Sequence, residues 1–417
     1  MRLALFAIVA SVVVAAAWVM VPRADADVIA PYVVVLHDGV DARAKVADLE
    51  KTHGFKADHT YTSSLTGFAA KLAGRQRDAL ARDPAVESIH EDKSLRLSPP
   101  ARTTRASTLA TGVRRIGGGT KSATGVAVAV LDTGVDLSHP DLSALVGTNC
   151  VGGANRRLTA VADGHGHGTH VAGTIGGKGG IGVAPGTTVY AVKVLDDAGR
   201  GSTSQLICGI DWVTANAPRL GIRVASLSLG MPGAPDSDCG RTSRDVLHKA
   251  LCVSVASGVV YVVAAGNSAS DIAHDVPAGY SEVLAVSAMS DTDGAPGAKG
   301  ALAACGQPER DDSFATFSNW AGDSASASHL ISAPGVCIRS SWPGGGYRTI
   351  SGTSMAAPHV SATIALCIAA GRCRGPAAAI IKQLRADAAA HGDGFAGDEH
   401  APIARRHYGD LVWAGSY

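Results

Sequence analysis

The chain lacks an excess of charge of either sign, since 37 Lys and Arg residues stand against 36 Asp and Glu residues and leave a net charge of +1. Proteins that bind nucleic acid or anionic membranes through their surface field carry a basic excess, so this balance argues against both kinds of partner. The hydrophobic fraction is 46% and there are 50 glycines, which is typical of a close-packed globular protein. A length of 417 residues allows two or three domains.

Long apolar runs are also missing, apart from one at the N-terminus. Arg2 precedes an apolar stretch from Leu3 to Val21, and the small residues Ala24-Asp25-Ala26 follow it. This order is typical of a secretory signal peptide, so residues 1–26 are assigned to the signal and the protein is expected to be secreted. The stretch is long for a signal and has one basic flanking residue, which makes an uncleaved membrane anchor the alternative. Without such an anchor we expect no stable membrane association.

Three common signatures of metal, redox and hydrolase sites are absent: Cys-x-x-Cys, His-Glu-x-x-His and Gly-x-Ser-x-Gly. The even number of cysteines, eight, is therefore interpreted as a set of structural disulfides formed in an oxidising compartment. Sequence alone does not fix the pairing, but the short separations favour Cys239–Cys252 and Cys367–Cys373, which leaves Cys305–Cys337 and Cys150–Cys208.

Three short segments supply a carboxylate, an imidazole and a hydroxyl in chain order. Asp132 ends the apolar run from Val126 to Leu131, which is typical of a buried strand. His167 lies in a glycine-rich loop ahead of a predicted helix, and Ser354 lies where another helix begins, with Pro358 expected in its first turn. A serine hydroxyl becomes nucleophilic when an imidazole takes its proton and a buried carboxylate holds that imidazole. The three contexts together predict acyl-transfer chemistry.

The segments Val-Leu-Asp-Thr-Gly, His-Gly-Thr-His-Val-Ala-Gly and Gly-Thr-Ser-Met-Ala-Ala-Pro resemble those of the subtilisin-like serine proteases, or subtilases. The resemblance extends from about residue 109 to the C-terminus and is strongest to the proteinase K branch. It implies a serine endopeptidase in which Asp132 orients the imidazole, His167 is general base and then general acid, and Ser354 attacks the peptide carbonyl. Apolar β-rich runs that alternate with helical ones predict the matching α/β fold, a mostly parallel sheet with helices on both faces.

The same resemblance assigns the surroundings of the nucleophile. Asn267 follows an apolar strand and matches the oxyanion-hole amide, with the backbone N–H of Ser354 as the second donor. A plain turn after Gly266 is the alternative for Asn267. Two further segments match the walls that pair with an extended substrate backbone, and they comprise Ser228, Leu229, Gly230, Ala264, Ala265 and Gly266.

Asp275 is the one departure that bears on specificity. Its alignment with the family places it near the base of the pocket for the residue before the scissile bond, where neutral residues are usual. A carboxylate there favours Arg or Lys in the substrate through a charge-assisted pair. An alignment shift of one residue instead points Asp275 at solvent, which is the alternative.

Residues 27–97 carry a pattern of their own. Periodicity predicts strand, helix, strand, strand, helix, strand, a ferredoxin-like order, with a first helix from Ala42 to His53 closed by Gly54. A small domain in this position resembles the subtilase propeptide, which inhibits and assists folding; an ordinary accessory domain is the alternative. The pattern of residues 98–106 predicts an exposed processing linker, which contains Pro99, Pro100, Arg102 and Arg105. Residues 107–417 are assigned to the peptidase domain. Self-cleavage is expected inside the linker, after one of its arginines if Asp275 lines the pocket.

No cofactor is expected for catalysis. The alternatives to a serine protease are a zinc hydrolase that uses His165, His167 and His170, and an inactive secreted binding protein. Asp141 matches a calcium-binding segment of many relatives, but the loop that completes that site is too short here. A structural calcium ion is therefore expected to use oxygen ligands elsewhere, with the backbone of Pro277 to Tyr280 as a candidate. The expected partners are protein or peptide substrates and the chain's own propeptide, acting on a monomer.

Overall fold

The computed structural model describes residues 28–97, 101–104, 110–303, 305–306, 308–392 and 405–417. The signal segment and most of the linker, including Pro99, Pro100 and Arg105, lie outside the described residues. The N-terminal unit (residues 28–97) and the C-terminal unit (the described residues from 110 onward) each contain a sheet of their own. No helix in these ranges is long and apolar enough to cross a membrane.

The N-terminal unit is a four-stranded antiparallel sheet covered by two helices. Its strands, in chain order, pair as second, third, first and fourth. The ferredoxin-like order predicted from the sequence is confirmed, and the elements are Ile29–Leu36, Ala42–His53, Ala57–Tyr61, Gly67–Ala73, Gly74–Leu80 and Val86–Glu91. The first helix begins after Asp41, whose carboxylate accepts the Arg43 and Ala44 amides, and ends where Gly54 takes a positive φ of 70°.

The C-terminal unit is built on one large sheet whose central pairs are all parallel. Its strands, from one edge to the other, are Ser313–Phe314, Leu284–Ser290, Val260–Ala264, Ile222–Leu227, Ala127–Asp132, Thr188–Lys193 and Ser143–Asn149, and Leu330–Pro334 adds to Leu284–Ser290. The five central strands match the five apolar runs that the sequence predicts as strands, which are residues 126–131, 189–195, 224–229, 259–264 and 283–288. The partly exposed edge strand from Ser143 and the short strand from Leu330 carry weaker patterns and were not predicted.

Helices cover both faces of this sheet, and the longest are Thr203–Leu220, Val246–Ala256, His167–Gly176, Thr353–Ala369 and Ala377–His391. Alternate residues of one strand enter different cores, since Val128 and Val130 pack with the serine helix (Thr353–Ala369), whereas Leu131 packs on the opposite face. The sequence also predicts a terminal strand that ends at Trp413, and the structure has isolated bridges there instead, which pair His407 with Ala321 and Leu411 with Ser332.

The N-terminal unit shares the second of these cores. Val33 and Val35 point from its sheet toward the helices Thr203–Leu220 and Val246–Ala256, while Val34 and Leu36 pack under its own helices. Both faces of the small sheet are therefore buried, and one of them is buried only because the two units associate.

Four disulfides close the C-terminal unit, and the pairing favoured by the short separations is confirmed: Cys150–Cys208, Cys239–Cys252, Cys305–Cys337 and Cys367–Cys373.

Candidate active site

Asp132 and His167 meet at the C-terminal end of the central strand. Asp132 is the last residue of Ala127–Asp132, and His167 is the first residue of the histidine helix (His167–Gly176). The Nδ1 atom of His167 lies 2.8 Å and 2.9 Å from the two carboxylate oxygens of Asp132. Both side chains are buried, and the Thr133 amide donates to Asp132 over 2.7 Å. A carboxylate held in this way fixes the imidazole with its Nε2 atom directed away from the strand.

Asp163 organises the loop that carries the histidine, and the sequence analysis missed it. Its buried carboxylate accepts the amides of His165, Gly166 and Thr169 and the hydroxyls of Thr169 and Thr133. Gly166 takes a φ of 102°, and a Cβ on it would collide with the ring of Trp342. The Asp-Gly-His-Gly-His spacing is a turn signal, but only the folded chain shows how many donors meet at Asp163.

Ser354 is the second residue of the serine helix and is buried. Its Oγ donates to the carbonyl oxygen of Ser228 over 3.2 Å, and the Oγ of Ser228 donates back to the Ser354 carbonyl over 2.9 Å. The prediction for Pro358 was wrong, because the helix begins at Thr353 and places the proline in its second turn. The amide that Pro358 lacks would have bonded to Ser354, and the Ser228 hydroxyl satisfies that carbonyl instead.

The serine helix, which carries Ser354, packs against the histidine helix, which carries His167. In this structure the hydrogen of Ser354 Oγ points to Ser228, not to His167.

Asn267 is held by its amide oxygen. Its Oδ1 accepts the Thr353 amide over 2.9 Å and the Thr353 hydroxyl over 2.8 Å, and that hydroxyl in turn accepts the Gly266 amide. Because a backbone amide only donates, the orientation of the side chain is fixed. Its Nδ2 is buried and has no hydrogen-bond partner among the described residues. An unpaired donor beside the serine is what an oxyanion site requires.

A strand of the N-terminal unit occupies the predicted substrate cleft. The docking strand (Ser94–Arg96) pairs antiparallel with Arg200–Ser202 on one side, and Arg96 forms an antiparallel bridge with Gly230 on the other. The Leu97 amide then donates to the Gly199 carbonyl over 3.0 Å. Gly230, the last residue of the predicted wall from Ser228 to Gly230, contacts this strand, whereas the opposite wall from Gly199 to Ser202 was not predicted.

Asp275 lies beside Gly266, the last residue of the predicted wall from Ala264 to Gly266. Its Oδ2 accepts the Asn319 amide over 2.8 Å, and Asn319 also donates to the Ala265 carbonyl. Burial raises the pKa of the Asp275 carboxyl above its ordinary value. Gly266 has a φ of 106°, and a Cβ there would collide with Asn319 and approach Asp275.

The three histidines of the zinc alternative do not gather their nitrogens at one point within the described chain. The Nε2 atom of His170 donates to the carbonyls of Ile338 and Arg348, 3.0 Å and 3.1 Å away, and burial lowers its pKa to about 3. His170 therefore clamps the histidine helix to a neighbouring hairpin as a neutral ring. His167 already uses its Nδ1 atom on Asp132.

The two segments considered for calcium, the rejected one at Asp141 and the candidate from Pro277 to Tyr280, take part in other hydrogen bonds. The Asp141 carboxylate accepts the Tyr347 hydroxyl over 2.6 Å. Within Pro277 to Tyr280, the Pro277 carbonyl accepts the Tyr280 amide.

Comparison with known proteins agrees with this geometry. Residues 123–401 match the model of the Subtilase family, Peptidase S8, and residues 31–98 match the peptidase inhibitor I9 family. Alkaline serine protease ver112 of Corniculantispora psalliotae is 35% identical over 79% of this chain and 78% of its own length. Proteinase R of Parengyodontium album is also 35% identical, over 82% of this chain and 80% of its own length.

A solved structure points the same way. The crystal structure of a cold adapted subtilisin-like serine proteinase is 31% identical, covers 74% of this chain and 99% of its own, and superimposes with a TM-score of 0.56. The resemblance predicted from the three segments is confirmed, as is the predicted fold class. The chain belongs to the subtilase family and is a serine-type endopeptidase made with an inhibitory I9 propeptide.

Proposed function

We propose that Asp132, His167 and Ser354 are the catalytic residues of this endopeptidase. The observation that carries the proposal is the buried contact of both Asp132 oxygens with His167 Nδ1, which leaves Nε2 as the atom able to take a proton. The serine helix, packed against the histidine helix, supplies the hydroxyl at its N-terminus, where the helix dipole favours negative charge.

The reaction then follows from the positions of these groups. His167 Nε2 removes the hydroxyl proton as Ser354 Oγ bonds to the peptide carbonyl carbon, and the imidazolium formed is stabilised by Asp132. The carbonyl oxygen becomes an oxyanion that accepts hydrogen bonds from Asn267 Nδ2 and from the Ser354 amide. His167 returns the proton to the leaving amine as the peptide bond breaks. Water, activated in the same way, hydrolyses the acyl-enzyme and regenerates the serine.

The nucleophile is tested by replacing Ser354 with alanine, which keeps the helix and removes only the hydroxyl. We expect kcat to fall roughly 10⁶-fold, as it does for the subtilisin serine, and the uncleaved chain to accumulate. The matched control is Ser361→Ala, a buried serine of the same helix that bonds only to the Ala357 carbonyl. A fluorophosphonate should label the parent and the control, and peptide hydrolysis that survives in Ser354→Ala contradicts the proposal.

We propose that the N-terminal unit is the inhibitory domain of a zymogen, with residues 27–97 as propeptide and residues 107–417 as the peptidase domain. Its docking strand forms the middle strand between Gly199–Ser202 and Gly230, where an extended substrate would lie. Carboxylate side chains from both units accept hydrogen bonds that join the two units. Among these, Asp92 accepts the amide and hydroxyl of Ser204, and Asp211 accepts three amides of the turn from Thr62 to Ser64.

The register of this strand narrows the position of the first self-cleavage. The last docking contact is the Leu97 amide on Gly199, and Ala101 next pairs with Ser351, three residues before Ser354. We infer that the first cut falls between Leu97 and Ala101, upstream of Arg102, and that a cut after either linker arginine is a later trimming step. N-terminal sequencing of the protein, stopped early and late in processing, distinguishes the two orders. An early product that begins after Arg102 contradicts this register.

The remaining expectations concern the protein in its surroundings. We propose that residues 1–26 direct secretion, that the mature enzyme is a monomer and that its substrates are extended protein or peptide segments. Recognition by backbone pairing supports broad selectivity, with Asp275 adding a preference for Arg or Lys before the scissile bond.

A further inference from the structure

A cluster of three carboxylates lies in the C-terminal unit, at the base of the loop from Asp291 to Asp312. Asp291 follows the strand Leu284–Ser290, and Asp311 and Asp312 precede the strand Ser313–Phe314, which pairs with it. The ligand oxygens of the three aspartates lie within 4.8 Å of one another. Asp291 and Asp311 are only 2% and 4% exposed.

The charges of this cluster are incompletely balanced by its described neighbours. Arg115 Nε lies 2.8 Å from Asp312 Oδ1 and 4.0 Å from Asp291 Oδ1, and it is the cation that pairs with these aspartates in the described structure. Three carboxylates against one guanidinium leave an excess of two negative charges in a buried place. Such an excess is costly unless a further positive charge compensates it.

Most of the carboxylate oxygens already accept loop amides. Asp311 accepts those of Thr292 and Gly300, and Asp312 accepts those of Gly297 and Ala298. Asp291 Oδ1 accepts the Gly294 amide over 2.9 Å.

The exception is the Oδ2 atom of Asp291. It is buried and has no hydrogen-bond partner in the described part of the chain. A buried carboxylate oxygen without a donor is rare in folded proteins and needs either a proton or a cation.

We propose that Asp291, Asp311 and Asp312 bind one calcium ion. Oxygen-only ligands with two or three carboxylates suit Ca²⁺, whose flexible coordination of six to eight oxygens tolerates an irregular loop better than the strict octahedron of Mg²⁺. A divalent ion also supplies the two positive charges that the cluster lacks. The site is separate from Asp141 and from the Pro277 to Tyr280 backbone.

The ion would fix the loop next to the active site. The loop carries Cys305, which is joined to Cys337, and the Cys337 amide donates to the Ser351 hydroxyl over 2.9 Å. Ser351 ends the strand that leads into the serine helix. Calcium at the base of the loop therefore stabilises the approach to Ser354 without touching a reacting atom.

The test uses the full chain carrying Ser354→Ala, which prevents self-digestion. After treatment with EDTA and desalting, titration calorimetry with calcium chloride at mildly alkaline pH should show one saturable site. Asp291→Asn should weaken calcium affinity by at least about tenfold. The matched control is Asp323→Asn, a change at an exposed helix cap outside the cluster, where the asparagine oxygen can still accept the Ser326 amide. This variant should bind calcium like the parent.

Thermal unfolding separates this role from a merely structural one. Without calcium, Asp291→Asn should unfold at the same temperature as the parent or higher, because the amide removes an uncompensated buried charge. With calcium, the parent should gain stability and Asp291→Asn should not. If Asp291→Asn does not fold, Asp311→Asn is measured in the same way. No saturable binding to the parent, or unchanged affinity in the variants, overturns the proposal.

Discussion

At the scale of single residues, the side chain of Asn267 acts through its two ends in different ways. Its oxygen is fixed by Thr353, and its nitrogen is an unpaired donor beside Ser354 within the described structure. In the proposed mechanism, that nitrogen acquires an acceptor only when the substrate carbonyl becomes an oxyanion, so we expect it to stabilise the transition state more than the ground state.

Replacing Asn267 with alanine should therefore lower kcat and leave KM nearly unchanged. The expected loss is about 10²–10³-fold, the effect known for the oxyanion asparagine of subtilisin. Steady-state kinetics on a peptide amide measures both constants. The control is Asn216→Ala, which removes a side chain that bonds to the Trp212 carbonyl on the helix Thr203–Leu220. A rise in KM with unchanged kcat would place Asn267 in ground-state binding instead.

Asp275 supports a second prediction at this scale. Asn319 holds one of its oxygens, while the carboxylate as a whole faces the Gly266 wall. Asp275→Asn should reduce the ratio of kcat/KM for Arg-ending over Phe-ending peptides by about tenfold, the value of one charge-assisted hydrogen bond. Asp271→Asn, a neighbouring helix cap, should leave the ratio unchanged. A parent enzyme that clearly prefers Phe contradicts the assignment of Asp275 to the pocket.

At the scale of elements, the histidine helix depends on a residue outside it. Asp163 gathers three amides and two hydroxyls from the loop and from Thr133, and so sets the position of His167. Asp163→Asn exchanges one acceptor oxygen for a donor that faces other donors. The free energy of unfolding should fall by about 1–3 kcal/mol, measured by urea unfolding in the Ser354→Ala background. Asp141→Asn, an exposed acid with a single tyrosine partner, is the control and should change it little.

The same elements show what the sequence could predict. Asp132 at a strand end and the fold around it follow from local patterns, because an apolar run and the turn after it occupy a few adjacent residues. Asp163 and the wall from Gly199 to Ser202 escaped prediction because their partners lie elsewhere in the chain. The sequence pattern predicts a helix over residues 203–214, whereas the helix Thr203–Leu220 continues until Gly221, with its φ of 67°, provides the stop. The buried aspartates of the calcium proposal likewise become a cluster only when two strands pair.

At the scale of the whole molecule, the two units fold around a common core. Tyr61 and Leu95 of the N-terminal unit pack in the same cluster as Leu206 and Leu247 of the peptidase domain. Tyr61 also donates from its hydroxyl to the Ser204 carbonyl over 2.9 Å. The mature enzyme must uncover this surface when the propeptide leaves, so the strength of the interface decides when activity begins.

His59 makes that interface sensitive to pH. It is 4% exposed, stacks on Tyr61 and lies near Arg156, which donates to the Asp58 carbonyl across the interface. Burial, and secondarily the charge of Arg156, lower the pKa of His59 to about 3. A histidine in the released propeptide has a pKa of about 6.5. The complex therefore forms with His59 in its neutral state. Affinity is therefore full above that pH and weakens as the pH falls below it.

Release of the processed propeptide should accordingly become easier by up to about tenfold for each pH unit below about 6.5. The complex is formed at mildly alkaline pH, incubated at lower pH values, and aliquots are returned to the starting pH for the activity assay, so the catalytic histidine does not affect the readout. His59→Gln should remove most of this pH dependence, whereas His37→Gln, a change at an exposed histidine, should retain it. Burial raises the pKa of the Asp92 carboxyl, so the protonation of Asp92 in the complex opposes release. If Asp92 dominated, release of the propeptide would become harder as the pH falls. An unchanged slope in His59→Gln shows that another group controls the release.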